Sequence, residues 1–519
     1  MSETFLYDVV DYPPYVHEQM HPSRLAAIAR LHGIPAATPR RCRLLEVGCG
    51  DGLQLLTLSQ AYPDSQFIGV DLSTKAIARG EAMRRSLGLD NLQLVAADLL
   101  DWDAGTEPCD YILAHGFWSW VPPAVRQRLL ALCEQNLAPA GIAYVSYNTL
   151  PGCHLRRMLW DIMKFHSDGA ATPAERVDKA MECLDLLENG MVDQRRYSKV
   201  MASEIKDLRQ RLHPSVLLHD DLSPINDPCT LSEFLQQAHG HGLAFLAEAN
   251  YLEMSLKTVT ESVRPILAGI AEHDLATKEQ YLDFITGRRF RQTMLCRVQA
   301  MPSTQPDVRV LPSLEAVCIL DADSDAPDEK GVMQFSRLDS RISTDNPLLQ
   351  HLLLACQAKR PLPHAVRALV YEARDAIAST RSLEEDTATA VNFLLGAFQV
   401  GMVELHCDAP RFALKAGERP CMSPLARLQI GEGHARFASL VPSMGKLESP
   451  LARELALLLD GNRDHETLRH DWAARMATIP TQTGEGSPLA CRPQAWWQAA
   501  LPDLEEGLDE MARLGLLLS

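Results

Sequence analysis

Between residues 42 and 150, apolar strands alternate with helices, and this alternation constrains the fold more than any other feature. CRLLEVG is an apolar strand, and LQLLTLSQAY reads as a helix stopped by Pro63. QFIGVDLS is a second strand and TKAIARGEAMRRSLGL a second helix. LQLVAADLL, DYILAHG and GIAYVSYN follow as strands, with the helical PPAVRQRLLALCEQNLA before the last. Strands that are continuously apolar are buried on both faces, so the pattern predicts an α/β unit with a parallel sheet covered by helices on both sides. Ligands in such sheets bind beyond the carboxyl ends of the strands.

At 519 residues the chain exceeds one ordinary core, so several domains are expected. From His154 to about Leu212 the pattern is helical, with Thr172-Pro173-Ala174-Glu175 as a capping-box start. TLSEFLQQAHGHG starts another helix with Thr230 and Glu233, and LAFLAEAN reads as a strand. The acidic stretch Asp321 to Lys330 (DADSDAPDEK) reads as a linker. DNPLLQHLLLACQAKRPLPHAVRAL, from Asp345, resembles ESPLARELALLLDGNRDHETLRHDW, from Glu448, and both copies lead to a helix, a glycine and an apolar strand. Two winged-helix-like units are one reading of this; the general likeness of amphipathic helices is the other.

Composition excludes several classes. A net charge of -17 argues against broad binding to a phosphate backbone, so no nucleic-acid partner is expected. The 13 cysteines are odd in number and lack a CxxC pair, which points to a reduced, cytoplasmic setting and to no metal site. MSETFLYDVVDYPPY lacks a basic segment followed by an apolar one, so no secretion signal is expected. Val391 to Leu405 is interrupted by Asn392, Gln399 and Glu404 and reads as a buried helix and strand, not a membrane insertion.

The turn after the first strand narrows the ligand. It reads Glu46-x-Gly48-x-Gly50-x-Gly52, with Leu53 where a dinucleotide GxGxxG motif would place its last glycine. Glycines let backbone approach a bound molecule closely. Asp71 ends the second strand, where a carboxylate can accept from both ribose hydroxyls, and Asp98 ends the third, where it can accept from an adenine amino group. Glu46 is costly to bury unless it organises the loop or a ligand. Together these residues resemble the class I S-adenosylmethionine-dependent methyltransferases, whose cofactor is a sulfonium carrying adenosine and an amino acid. Acidic strand ends suit that cation and would repel a pyrophosphate. The resemblance implies a Rossmann-like core, S-adenosylmethionine as cofactor, and Glu46, Gly48, Cys49, Gly50, Gly52, Asp71, Leu72, Asp98, Leu99 and His115 as its binding set. An NAD site, or a sheet whose acids cap helices, is the alternative reading.

Further blocks resemble bacterial methyltransferases that carry a methyltransferase regulatory domain, a family that includes lysine methyltransferases of outer-membrane proteins. The HGVYSWVP block of that family appears as His115-Gly116-Phe117-Trp118-Ser119-Trp120-Val121-Pro122, and its SYNTxPGW block as Ser146-Tyr147-Asn148-Thr149-Leu150-Pro151-Gly152-Cys153. A tyrosine-rich lead with Tyr12 and Tyr15 precedes His21-Pro22-Ser23-Arg24-Leu25, and Gln280-Tyr281-Leu282-Asp283-Phe284 precedes Arg288-Arg289-Phe290-Arg291-Gln292-Thr293. The resemblance implies a core over 1–153, a mainly helical insertion over 154–214 used for homodimerisation, an α+β middle domain over 215–320 and a winged-helix-like C-terminal domain over 330–519. It also implies a protein substrate, an outer-membrane protein before export among the candidates. The chain departs from the family at Trp118, Cys153, Gln54 and His219-Asp220-Asp221-Leu222, chiefly where an acceptor would lie.

On this reading His115, Tyr147 and Asn148 are the candidate catalytic residues, and Trp118, Trp120 and Tyr147 supply an aromatic channel for a lysine. Packing is the competing role for the tryptophans, and backbone hydrogen bonding for His115. His219, Asp220 and Asp221 read as a surface turn, and Arg288, Arg289 and Arg291 as partners of acids across a helix surface. A small-molecule N- or O-methyltransferase with accessory lid domains, and a cofactor-sensing scaffold without catalysis, are the competing functions.

Overall fold

The computed structural model describes residues 6–192, 195–211, 213–337, 340–478 and 493–519; part of the N-terminal stretch read for a secretion signal lies outside them. A seven-stranded sheet organises the first 300 residues. Its strands are β1 (Arg43–Val47), β2 (Gln66–Asp71), β3 (Leu92–Ala96), β4 (Cys109–Ala114), β5 (Leu137–Asn148), β6 (Leu243–Glu248) and β7 (Phe290–Arg297), in the spatial order β3-β2-β1-β4-β5-β7-β6. The first five are parallel; β7 runs antiparallel to β5, and β6 antiparallel to β7.

The residue period of two divides the apolar strand residues between two cores. Leu44, Phe67, Tyr111 and Tyr144 pack on the face that carries the helix Pro22–Leu31. Leu45, Ile68, Ile112, Val145 and Tyr147 pack on the other, with the helix Leu231–Gly240 supplying Phe234. Strand order reverses at β1, between β2 and β4, so the crevice beyond β1 and β4 is where a ligand is expected in such a sheet.

The sheet is continuous across the expected boundary near residue 214. β6 and β7 come from the segment expected as a separate middle domain, and β7 pairs with β5 along Ala143–Asn148. Between β5 and β6 the helices Cys153–His166, Pro173–Gly190 and Arg196–Gln210 pack on one another around Leu159, Leu184 and Ile205.

The stretch expected as a linker lies within a folded unit. Asp321–Ala322 pairs with Phe335–Ser336, and the preceding strand Glu315–Cys318 is central in a three-stranded sheet. That strand is flanked by His364–Ala365, after the helix Pro347–Ala358, and by Val403–His406, after Val366–Ala376 and Leu383–Gln399. Near the C-terminus Cys421 pairs with Asp460, after the helix Pro450–Leu458, and Met422 pairs with Leu517, after the helix Leu504–Arg513. The two segments thus share one connectivity, and each first helix opens with a capping side chain, Asn346 or Ser449, followed by proline. Among the described residues no helix is long and apolar enough to cross a membrane.

Candidate active site

The turn between β1 and the helix Leu53–Ala61 uses left-handed backbone at Gly48 (φ 72°), Gly50 (φ 59°) and Gly52 (φ 74°), a region that side chains rarely enter. Gly48 N–H donates to Val70 O at 2.8 Å, which ties the turn to β2. Asp71, at the end of β2, accepts from Gly50 N–H through Oδ2 and from Ser73 N–H through Oδ1, each at 2.8 Å. Gly80, in the helix Thr74–Leu87, packs against this turn so closely that a Cβ there would lie 2.1 Å from Asp51 O. The sequence reading did not single it out, because a helical glycine carries no local signal of such an approach.

Beyond these strand ends lies a cavity of about 730 Å³. Of the residues expected in the site, it brings together Glu46, Gly48, Cys49, Gly50, Asp71, His115, Trp120 and Asn148. Glu46 is buried and its Oε2 has no hydrogen-bond partner. Burial, followed by the nearby Asp71 and Asp51 carboxylates, pushes its pKa up to about 8. Burial also raises Asp71, against the lowering effect of the backbone donors from Ser73 and Gly50.

His115 Nδ1 lies 2.9 Å from the Tyr144 hydroxyl, and its ring centroid lies 3.8 Å from that of His17, the planes tilted by 33°. Burial holds both imidazoles low, His17 at about 4 and His115 well below the ordinary value with His17 adding to the effect, so both are neutral near pH 7. Asn226 Nδ2 donates to Asp220 O and its Oδ1 accepts from Asn148 Nδ2 at 3.0 Å; this chain of bonds turns the Asn148 carbonyl away from Asn226 as a further acceptor.

The remaining expected residues fall elsewhere. Trp118 and Tyr147 are core residues, within 1% of full burial, and both pack against Phe234. Tyr147 follows Tyr144 by three positions and so faces the opposite side of β5, where its hydroxyl meets Thr293 Oγ1 at 3.1 Å. Leu72, Asp98, Leu99 and Gly52 do not line the cavity; Asp98 is exposed and accepts from Leu100 N–H.

Residues outside the expected set complete the walls. Tyr7, Tyr12, Pro13, Pro14, Tyr15 and His17 come from the N-terminal segment, whose tyrosines were its visible signal. This segment is tied to the Thr74–Leu87 helix by Asp8 to Ser73 Oγ (2.5 Å) and Asp11 to Arg79 (3.0 Å). It is tied to the other wall by His219 Nε2, which donates to Val10 O at 2.8 Å, while Tyr7 stacks on the His219 ring at 4.1 Å. His219-Asp220-Asp221 is therefore not a surface turn: His219 and Asp221 are buried, and both aspartates line the cavity. Nor do Arg288 and Arg291 lie across a helix surface. They are buried at the start of β7, among Glu248, Glu279 and Asp283, while Arg289 pairs with Glu204 at 2.6 Å.

The chain matches three known families: a methyltransferase domain over residues 44–141, a predicted methyltransferase regulatory domain over 213–297, and the C-terminal winged helix domain of PKMT over 418–516. Among curated relatives, protein RP789 of Rickettsia prowazekii is 35% identical over 291 residues, 56% of this chain and 52% of that one, so the chain spans about half the length of that relative. Protein RP028 of the same organism is 34% identical over 236 residues, 45% of this chain and 93% of that one. Among solved structures, PKMT2 from Rickettsia typhi superimposes with a TM-score of 0.86 at 24% identity, covering 98% of this chain and 100% of that one; its complex with AdoHcy gives 0.85. By sequence and by fold, this chain belongs to the S-adenosylmethionine-dependent methyltransferases that carry the methyltransferase regulatory domain and a PKMT-type winged helix domain.

Proposed function

We propose that the protein transfers methyl groups from S-adenosylmethionine to lysine side chains of a protein, acting in the cytoplasm as a homodimer through its helical segment. The observation that carries the transfer reading is the unpartnered, buried Glu46 carboxyl beside a three-glycine turn held by Asp71. Such a site fits a nucleoside that bears positive charge. AdoHcy, bound in the Rickettsia typhi PKMT2 structure, is the demethylated form of that cofactor, and the PKMT-type C-terminal domain supports a protein acceptor. Outer-membrane proteins before export are the acceptor class that the family resemblance supports.

Asp71 would hold the ribose hydroxyls, the backbone of Gly48 and Gly50 the amino-acid moiety, and Glu46 its positive charge; Asp98, Leu72 and Leu99, which do not line the cavity, are given no cofactor contact. When bound, the cofactor supplies a methyl carbon on a sulfonium leaving group. The chain's own part is orientation and exclusion of water, which can contribute roughly 7 to 11 kcal/mol. The neutral imidazoles of His115 and His17 put no positive charge beside that sulfonium. Asn148 and Trp120, which line the cavity, would hold an amine N–H on the acceptor side. A free lysine is neutral in only roughly one copy in 2,500 at pH 7, and a buried channel beside a cation shifts that balance toward the amine.

Incubating the chain with methyl-labelled cofactor and a cell lysate should label protein bands, and acid hydrolysis should release the label as methyl-lysine. Label confined to small molecules would reject the protein acceptor. A second expectation concerns Glu46. Its raised pKa keeps it protonated at pH 7 in the free chain, and a cation beside it favours the carboxylate, so binding S-adenosylmethionine should release up to about one proton. Calorimetry in two buffers of different ionisation enthalpy reads that number directly. Glu46→Gln should bind with no proton release from this position, and an unchanged count would remove Glu46 from the site.

A further inference from the structure

The cavity has a second acidic end, remote in sequence from the glycine turn. Asp220 and Asp221 sit on the turn Leu217–Asp221, closed by Leu222 N–H to Leu217 O at 3.0 Å. Asp221 is 2% exposed, and its Oδ1 takes Arg156 Nε (2.9 Å), Arg156 Nη2 (2.6 Å) and Trp160 Nε1 (2.7 Å). Its Oδ2 is buried without a partner, although the residue lines the cavity. Asp220, beside it, has only a long hydrogen bond from the Tyr12 hydroxyl (3.5 Å) at its carboxylate, and among the described residues no ion pair.

Among the described residues, none of the cationic groups around Asp220 forms an ion pair with it. From the helix Cys153–His166, Arg156 pairs with Asp221 through Nε and Nη2, while its buried Nη1 has no partner. Arg289, on the neighbouring loop, is committed to Glu204 and Asp207. Arg211 also lines the cavity and, after Arg156, favours the Asp220 carboxylate, but forms no ion pair with it; burial holds His219 below its ordinary value, hence neutral. From the N-terminal segment come the hydroxyls of Tyr7 and Tyr12, both raised by burial and then by Asp220 and hence protonated. Tyr12, Pro13, Pro14, Tyr15 and Trp160 are the apolar and aromatic part of the cavity wall. A carboxylate without an ion pair, in a cavity with apolar and aromatic walls, is complementary to an ammonium group on an alkyl chain.

We propose that Asp220, with Asp221 behind it, is the subsite that receives the ammonium of the incoming lysine and selects for it. This rests on the reading of the protein as a lysine methyltransferase and names the residues that recognise its acceptor, apart from the acids that face the cofactor. The buried setting gives the subsite a pH response. Burial, then the Asp221 charge, pushes the Asp220 pKa up to about 7, so ammonium binding should be present above that pH and lost below it.

The test uses the full chain saturated with S-adenosylhomocysteine, with Nα-acetyl-lysine methylamide and its norleucine counterpart as probes, and calorimetry or ligand-observed NMR as readout. The wild-type chain should prefer the lysine probe about tenfold or more at pH 8, as expected for a charge-assisted hydrogen bond, and lose most of that preference at pH 6. Asp220→Asn should erase the preference and its pH dependence while holding S-adenosylhomocysteine as before; Asp220→Glu should keep the preference. The wild-type pH profile tests the subsite without any substitution. A preference retained by Asp220→Asn, or flat in pH for the wild type, overturns the subsite and leaves the lysine reading standing. Equal loss of S-adenosylhomocysteine in Asp220→Asn overturns it by assigning Asp220 to the cofactor. A wild-type chain that holds S-adenosylhomocysteine but does not distinguish lysine from norleucine overturns both.

Discussion

Asp71→Ala should abolish measurable cofactor binding. The carboxylate has two tasks at once. It accepts Gly50 N–H and Ser73 N–H at 2.8 Å each, which fixes the glycine turn against the end of β2, and in the proposed function its remaining lone pairs take the ribose hydroxyls. Alanine removes both. Each hydrogen bond to a charged group contributes about 1.5–3 kcal/mol, so losing two ribose contacts alone weakens binding by roughly 100-fold or more. Freeing the Gly50 amide adds to this, because the turn then has no single conformation to offer. Asp71→Asn is the stricter variant: it keeps the size, but its amide can accept from only one of the two N–H groups and sets a donor against the other. S-adenosylhomocysteine should therefore raise the melting temperature of the wild type and leave both variants unchanged. Affinity within threefold of wild type in Asp71→Ala would show that the nucleoside is held elsewhere.

The parallel part of the sheet was legible because β1, β2, β4 and β5 each carry adjacent apolar residues, and burial on both faces explains such runs. The place of β6 and β7 in that sheet was not. β7 begins FRQT, and Arg291, Gln292 and Thr293 do not read as an inner strand, yet β7 lies between β5 and β6. It can do so because Glu248 on β6 accepts from Gln292 N–H (2.9 Å) and Thr293 Oγ1 (2.8 Å), partners more than 40 residues away in the chain. The C-terminal connectivity had a visible trace, since a capping residue and proline recur at Asn346-Pro347 and Ser449-Pro450.

The site divides in the same way. The glycine turn, Glu46 and Asp71 announce themselves locally, through residue types that a turn or a strand end rarely carries without cause. Tyr147 was expected in the channel on the strength of its motif, but the period of two on β5 allows Asn148, not Tyr147, to face the cavity. Asp220 and Asp221 look like a solvated acid pair in sequence. Only the three-dimensional approach of Arg156, Trp160 and the N-terminal tyrosines buries them, and no local pattern encodes that approach.

The largest loss of stability is expected at Arg291. Its side chain is fully buried on β7, where Nε and Nη2 bond both oxygens of Asp283 at 2.8 Å, Nη1 meets Glu248 Oε1, and Nη2 also reaches Glu279 O at 3.0 Å. This one guanidinium joins β6, β7 and the helix Leu275–Thr286, and so holds the antiparallel edge of the sheet to the regulatory segment. Arg291→Met fills similar space but leaves Glu248 and Asp283 as buried carboxylates without their main cation, and breaking a buried pair from one side costs about 3–5 kcal/mol. At about 2–4 °C per kcal/mol for a domain of this size, the melting temperature should fall by roughly 6 to 20 °C. Arg291→Lys keeps the charge but not the fork that grips Asp283, and should lie between the two. The triple variant Arg291→Met, Glu248→Leu, Asp283→Leu should regain part of the loss, since it removes the two carboxylates that Arg291→Met strands and leaves Glu279 paired with Lys278 and Arg288. A single variant that melts with the wild type would mean that Lys278 and Arg288, which already contact Glu279, neutralise the cluster on their own.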